Sequence, residues 1–529
     1  MRANLAATAT TFLLRSNLIS AFETSSVVSR RAYNSLRLST RLAGGSTKTI
    51  RPYRTSSTMA MAATTRTSMP ALPTFLSQSH DIFASATPGD VKIPKAVRIT
   101  IGNEAGDADS IVSALVHSYV LRLEEELRSE NHEDKTWYAP LVGVPRADLP
   151  LRRETTLLLG MAGVDLDQLL FVDSPPLIAS LLMPTDDASC GSTCNALNIS
   201  LLDHNRIRSS LRHLDDHVVE ILDHHEDEGY HTGAVPEGSD ARNIAFRGKD
   251  ALVGSTCTLV VERMLQAADS MTASIGGGDK DITLLDPSAS LCLLGVILLD
   301  TMNMSSEAGK GTDRDLAAIN SLLDRTDWSM LDTDSMEESA RAVFEADGNA
   351  SGNIRPNRAA LHDLLRNSKF DEKFWSDMSV YDCLRIDYKR FEPTRSSYSD
   401  SPSIAFGVSS VLLPLSNFLS KADCANSIAR YIKEVETPLL GVLSMTVVDD
   451  TPHREMLLAG RPDLVDAAAE YLLKSEDAAF LEVTEVECVL DRADEDKDGM
   501  KLRKFRQGNP KGSRKQVAPT MMRLAATLS

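Results

Sequence analysis

Three short apolar runs, at 97–101, 196–202 and 218–222, each pass directly into a cluster of acids, amides and imidazoles. After the first comes Gly102-Asn103-Glu104-Ala105-Gly106-Asp107-Ala108-Asp109. After the second comes Asp203-His204-Asn205, and after the third Asp223-His224-His225. Between the first two runs the period changes. Ile111, Val112, Leu115, Val116, Tyr119, Val120, Leu123 and Leu127 recur at the i, i+3, i+4 spacing of a helix with one buried face. Strand runs alternating with helical runs predict βαβ units and a mostly parallel sheet. In an open parallel sheet, ligands bind outside the carboxyl ends of the strands. The three clusters are therefore expected to meet at one edge.

One Asp after a strand is most often a turn or cap residue, and one His pair is most often surface or satisfied core. Three clusters on the same edge would require those ordinary readings to coincide. Crowded carboxylates repel strongly unless cations neutralise them. Carboxylates mixed with imidazoles suit Mn²⁺, Co²⁺ or Mg²⁺ better than a thiolate-seeking metal. Asp300 is a fourth candidate, because it ends the wholly apolar run 293–299 and needs a partner there.

Further strands are predicted at 138–144 and 169–172, and helices at 152–161, 255–267 and 288–299, with a loop at 173–195. A second α/β region is predicted with strands at 383–388, 404–412, 439–448 and 479–490 and helices at 416–435 and 464–473. The implied domains are a head (1–70), a first domain (71–325), a linker with one or two helices (326–370) and a second domain (371–529).

Charge divides the chain in the same way. The 529 residues carry 56 Lys+Arg against 74 Asp+Glu, a net −18. Residues 1–70 hold ten basic residues and one acid, so the remainder has 46 against 73, or −27. An acidic body disfavours nucleic acid and membrane headgroups. The Ser/Thr/Ala/Arg-rich head has the composition of a transit peptide, and mitochondrial (matrix) delivery is expected. A start at Met59 or Met61 would give a cytosolic form, and a plastid address is the other alternative. No run reaches the roughly 20 apolar residues of a membrane helix. Seven scattered cysteines suggest free thiols in a reducing compartment. From Gly499 onward there are eight basic residues and no acid, which predicts a cationic patch for phosphate.

The motifs carry a resemblance. Asn-Glu-Ala-Gly-Asp-Ala-Asp-Ser at 103–110, Leu-Leu-Asp-His-Asn at 201–205, Asp-His-His-Glu-Asp-Glu-Gly at 223–229 and Leu-Leu-Asp-Thr at 298–301 resemble, in order, the four motifs of the DHH phosphoesterase superfamily. Asp387-Tyr388-Lys389 and Ser513-Arg514-Lys515-Gln516-Val517-Ala518-Pro519 are similar to the DHHA2 domain of family II pyrophosphatases, exopolyphosphatases and prune-type proteins. Pyrophosphatases of this kind open the first motif with His, where this chain has Asn103. Animal prune proteins replace the second His of the third motif with Arg, where this chain keeps His225. The resemblance thus implies a eukaryotic-type exopolyphosphatase, with a mostly parallel-sheet DHH domain and a smaller α/β DHHA2 domain.

It also implies two divalent metal ions (Mn²⁺, Mg²⁺ or Co²⁺) held by Asp107, Asp109, Asp203, His224 and Asp300, with Asp203 bridging. The pair would acidify a water for in-line attack on a terminal phosphorus. His225 would meet the leaving oxygen or act as general acid, and Asn103 would be a weaker, neutral ligand. Lys389, Arg514 and Lys515 would clamp phosphate oxygens. The implied substrate is inorganic polyphosphate, with no nucleic acid or membrane partner and a monomeric chain. Pyrophosphatase or nucleotide phosphodiesterase activity on the same site is an alternative. Another is a prune-like binding protein using 174–195 and 325–370 as interaction surfaces.

Overall fold

The computed structural model describes residues 69–86, 96–128, 136–183, 197–274, 283–345, 354–392, 404–448, 451–488 and 499–527. Almost all of the cationic head, together with Cys190 and Cys194, lies outside these residues, as does the side chain of Lys515.

The first sheet contains β1 (Val97–Ile101), β2 (Trp137–Val142), β3 (Leu170–Phe171), β4 (Leu197–Leu202), β5 (Val218–Asp223) and β6 (Arg242–Ile244). Their order is β3-β2-β1-β4-β5-β6 and every pairing is parallel. A small hairpin, β7 (Phe246–Arg247) and β8 (Asp250–Ala251), follows. The order reverses between β1 and β4, and that switch point is where such sheets open a crevice. Helices α1 (Leu72–Ser85), α2 (Ala108–Arg128), α3 (Arg153–Met161) and α4 (Pro176–Leu182) belong to this body. So do α5 (Thr256–Ser274), α6 (Pro287–Asp300), α7 (Asp313–Arg325), α8 (Glu338–Glu345) and α9 (Arg358–Lys369). One core packs α2, α5 and α6 together, and α6 is buried from Leu291 to Leu298. The other core packs Phe83 of α1 and Leu177 and Ile178 of α4 against sheet residues such as Ile99 and Ile199.

The second body contains α10 (Glu372–Asp377), α11 (Val380–Ile386), β9 (Tyr388–Phe391), β10 (Phe406–Val411), α12 (Leu415–Leu419) and α13 (Cys424–Glu434). It continues with β11 (Leu439–Val448), β12 (Thr451–Gly460), α14 (Pro462–Lys474), β13 (Val483–Val486), β14 (Lys501–Gln507) and α15 (Arg514–Thr527). Its sheet runs β13-β14-β12-β11-β10-β9, with β10 and β11 parallel and every other pairing antiparallel. The chain is thus α/β in both bodies.

Several local readings are corrected. The strand expected at 383–388 is the helix α11, begun by Ser379, whose side chain accepts from the Asp382 N–H. The loop expected from 173 contains α4, which has Pro at its first turn and buries Leu177, Ile178, Leu181 and Leu182. The helix expected at 416–435 is two, divided before Asp423, which has a left-handed φ of 57°. The strand expected at 479–490 is a 3-10 turn followed by β13. Within 326–370, α8 and α9 are not a free tether. Their Ala340, Val343, Phe344, Leu361 and Leu365 join the first core.

Candidate metal centre

The crevice between β1 and β4 holds the first two clusters. The loop after β1 fits only because Gly102 lacks a side chain: a Cβ there would lie 2.3 Å from the Ser110 carbonyl oxygen. Asp203, first residue after β4, has φ 63°, a left-handed conformation that costs a non-glycine residue strain. Its backbone N–H donates to the Leu222 carbonyl at 2.9 Å, and the turn points its buried carboxylate at the first cluster. Ser110 Oγ and Asn103 Nδ2 each donate to Asp203 Oδ2 at 2.7 Å, and Thr256 Oγ1 reaches Oδ1 at 3.3 Å.

This geometry corrects the role of Asn103. Its Oδ1 accepts the Ala105 N–H at 2.9 Å, so its amide nitrogen must face Asp203. Asn103 is a donor that orients a carboxylate, and its oxygen is not turned toward the cluster.

Asp109 opens α2 but caps another helix. It accepts Ser255 Oγ at 2.8 Å, the Thr256 N–H at 2.8 Å and the Cys257 N–H at 2.9 Å, all at the start of α5. Despite those donors, burial and the charges of Asp203 and Asp107 push its carboxyl up to about 8. Burial, then Asp109 and Asp107, likewise hold Asp300 well above the usual carboxylate range. Asp300 Oδ2 is buried without a hydrogen-bond partner among the described residues. Asp107 behaves oppositely. Burial works against its charge, but Lys389, the Ser110 N–H, Lys369 and Arg514 together bring it down to about 2.

His224 presents a defined ring nitrogen. Its Nδ1 lies 3.1 Å from the Val253 carbonyl, which can only accept, so Nδ1 carries the proton. The Nε2 lone pair is left 3.5 Å from Asp203 Oδ1 and 4.0 Å from Asp109 Oδ2. His225 Nδ1 lies 2.8 Å from Asp223 Oδ1 and 3.5 Å from Asp203 Oδ1. Asp223 is fully buried and also accepts the His224 and His225 backbone N–H groups and Asn205 Nδ2. Burial opposes its charge, yet His225, His224 and these donors hold its carboxyl well below the usual range. Burial lowers the His225 imidazole, with Asp223 opposing.

Asp203, His224 and His225 have ligand atoms all within 4.8 Å of one another. Asp109 joins them through His224, and Asp300 through its interaction with Asp109. A buried carboxylate oxygen with no donor, two carboxyls pushed upward by their neighbours and an imidazole lone pair facing them all call for cations. The oxygen and nitrogen donors fit divalent metal ions.

The second body supplies the opposite charge. The charge of Lys389 on β9 acts on Asp107, and no hydrogen bond or ion pair holds its ammonium among the described residues. Arg514 donates to the Asp387 carbonyl at 3.0 Å and carboxylate at 2.6 Å. The rest of the expected cationic patch is largely neutralised in place. Lys501 pairs with Asp466 at 2.7 Å, Arg503 with Glu485 at 2.6 Å, Lys504 with Glu455 at 2.8 Å and Arg523 with Asp477 at 3.3 Å.

Other participants had no role assigned to them from the sequence. Asp223 orients His225, and Ser110, Ser255 and Thr256 position carboxylates. Lys369 at the end of α9 pairs with Glu154 at 3.5 Å, and its charge acts on Asp107 and Asp300. The Ser255-Thr256 pair preceding an apolar run was a readable helix-start signal. Lys369 lay in a segment whose composition marked only a linker.

Comparison with known proteins agrees with this arrangement. The DHHA2 domain family matches residues 367–524. The mouse (Mus musculus) protein named exopolyphosphatase PRUNE1 is 24% identical over 430 residues, covering 81% of this chain and 75% of that one. A Schizosaccharomyces pombe protein assigned as an exopolyphosphatase is 25% identical over 429 residues, covering 80% and 89%. A solved Methanococcus jannaschii structure, assigned to the family II inorganic pyrophosphatases, aligns with 81% of this chain and 99% of its own at 18% identity and a TM-score of 0.43. Residues 367–524 are thus a DHHA2 domain, and the motifs that resemble those of the DHH phosphoesterases lie together at the edge of the first sheet ahead of it.

Proposed function

We propose that this chain is a metal-dependent exopolyphosphatase that hydrolyses the terminal phosphoanhydride bond of inorganic polyphosphate and releases orthophosphate. The observation that carries it is the pairing of an acid-rich centre containing both His224 and His225 with an ammonium from the facing body, Lys389, that is unpaired among the described residues. The relatives named exopolyphosphatase support a hydrolase acting on phosphoanhydrides.

Asp107, Asp109, Asp203, His224 and Asp300 would hold two divalent cations, which when bound supply charge neutralisation and an acidified water. The protein's own groups do the rest. Asn103, Ser110 and Thr256 fix the Asp203 carboxylate, so the ligand arrangement is formed in advance. Asp223 keeps the His225 proton on Nδ1, leaving Nε2 for the phosphate being transferred or the leaving oxygen. Lys389 offers a point charge and Arg514 a planar fork to the equatorial and bridging oxygens, where negative charge builds. The two bodies enclose the reacting phosphate and keep bulk water out.

Incubating the full chain with Mn²⁺ or Mg²⁺ and polyphosphate should release orthophosphate, and Asp203→Ala should reduce the rate more than about a hundredfold. Pyrophosphate and cyclic nucleotides are tested alongside. Release no greater than that of Asp203→Ala, or turnover of cyclic nucleotides alone, rejects the proposal.

A further inference from the structure

Beyond the centre, three arginines from both bodies meet one carboxylate. Arg212 Nη2 lies 2.9 Å from Glu392 Oε2, Arg206 Nη2 3.7 Å from the same oxygen, and Arg390 Nε 3.1 Å from Oε1. Ser209 Oγ donates to Oε1 at 3.3 Å. Arg206 also stacks 4.4 Å over the Tyr230 ring and lies 3.5 Å from Glu228. The cluster leads straight into the centre. Arg206 follows Asp203-His204-Asn205 in the chain, and Arg390 follows Lys389 on β9.

Three guanidinium groups share two carboxylates here, which leaves cationic charge in excess. Donor capacity is also in excess. Arg206 holds its acids only at 3.5 and 3.7 Å, and Arg212 makes one short contact while its side chain is 52% exposed. The Arg212 pair is exposed enough to contribute little and the Arg206 contacts are long, so a polyanion can displace both cheaply. A guanidinium fork matches phosphate oxygens as well as it matches a carboxylate.

We infer that Arg206, Arg212 and Arg390 form a second phosphate-chain site, which grips polyphosphate units beyond the scissile end and selects long chains over short ones. Glu392 occupies this site as an internal anion until the chain arrives. The inference rests on the hydrolase reading above and extends it to chain length.

The test compares Arg206→Gln, Arg212→Gln, the double variant and Glu392→Gln on long-chain polyphosphate and on tripolyphosphate. The double variant should raise KM for the long chain about tenfold, the loss expected from removing charge-assisted contacts. Its kcat, and KM for tripolyphosphate, should stay within about twofold. Glu392→Gln should lower KM for the long chain, because it removes the competing anion. Equal losses on both substrates, or Glu392→Gln moving KM in the same direction as the arginine variants, would show a simple latch between the bodies and overturn the inference. Calorimetric titration of the metal-free full chain with the same two polyphosphates reads binding without turnover. If no substrate is hydrolysed, the hydrolase reading fails. The titration still decides here: selective loss of long-chain affinity in the double variant supports the site, and unchanged affinity rejects it.

Discussion

At the scale of single residues, the centre depends on side chains whose proton and lone-pair positions are fixed by partners that bind nothing themselves. Asp223 is the clearest case, because it holds His225 at 2.8 Å and two backbone N–H groups with one buried carboxylate oxygen. Asp223→Asn keeps the volume, but it removes the charge facing His225 and sets the new NH2 either against Asn205 Nδ2 or against the three donors at Oδ1. Phosphate release should fall about ten- to a hundredfold, the usual consequence of losing an orienting partner, while Mn²⁺ still raises the melting temperature through the untouched ligands. Loss of that metal-induced shift, or full activity, would show that Asp223 does something else. The ligand set itself was legible in the sequence, because Asp and His after strand ends mark the sheet edge. The role of Asn103 was not. An amide has a donor end and an acceptor end, and only the Ala105 N–H shows which one faces Asp203.

At the scale of elements, α2 begins at the centre with Asp109 and is anchored beneath the sheet by Glu220 of β5. That carboxylate accepts from Arg98 of β1 at 2.8 Å and Ser200 of β4 at 2.7 Å, meets His117 of α2 at 2.9 Å and pairs with Arg263 of α5. Burial disfavours its charge, but His117, Arg263 and Arg98 together hold it well below the usual carboxylate range. A depressed carboxyl stabilises the fold above its unfolded pKa, and that stability is lost as pH falls through the folded value. Glu220→Gln leaves the half-buried Arg98 without its anion and Arg263 with Glu124 alone, so at neutral pH it should cost about 3 kcal/mol. Thermal unfolding should show that deficit shrinking as pH drops below 4.5, where the parent loses the same interaction. A deficit independent of pH would mean that packing alone is responsible. The long elements were readable, α2 from its period and α6 from the length of its apolar run. Short ones were not. Over the seven residues of α11, Val380, Cys383 and Leu384 keep the i, i+3, i+4 spacing for little more than one turn, too short a stretch to establish a period, and the cap at Ser379 decides.

At the scale of the whole molecule, the net charge of −18 hides a local division of labour at the centre, where the first body supplies the acids and the second brings Lys389 and Arg514 to them. The join that keeps them opposed was invisible in the sequence, since an Arg-Arg pair in an acidic chain reads as surface. Arg152 is instead 2% exposed. Its guanidinium donates to the Ala105 carbonyl at 2.6 Å, the Asp148 carbonyl at 2.8 Å and the Gly106 carbonyl in the first body, and to the Ile386 carbonyl at 2.8 Å in the second. It therefore braces the loop carrying Asp107 and, one residue before Asp387, the strand entry that leads to Lys389. Arg385 adds a contact to Asp148 at 2.5 Å, and the Arg390 N–H one to Glu104 at 2.6 Å. Each body has its own cores, so the join and not the cores should fail first. Arg152→Met keeps the length of the stem but leaves four carbonyls without a charged donor, a loss of about 3–5 kcal/mol at the interface. Urea unfolding should change from one transition to two, with the less stable body melting earlier, and phosphate release should fall even where both bodies remain folded. Arg152→Lys, which keeps the charge but lacks the fork, should recover only part of the stability. A single transition at the parent midpoint in Arg152→Met would show that the cores, and not this guanidinium, hold the two halves of the centre together.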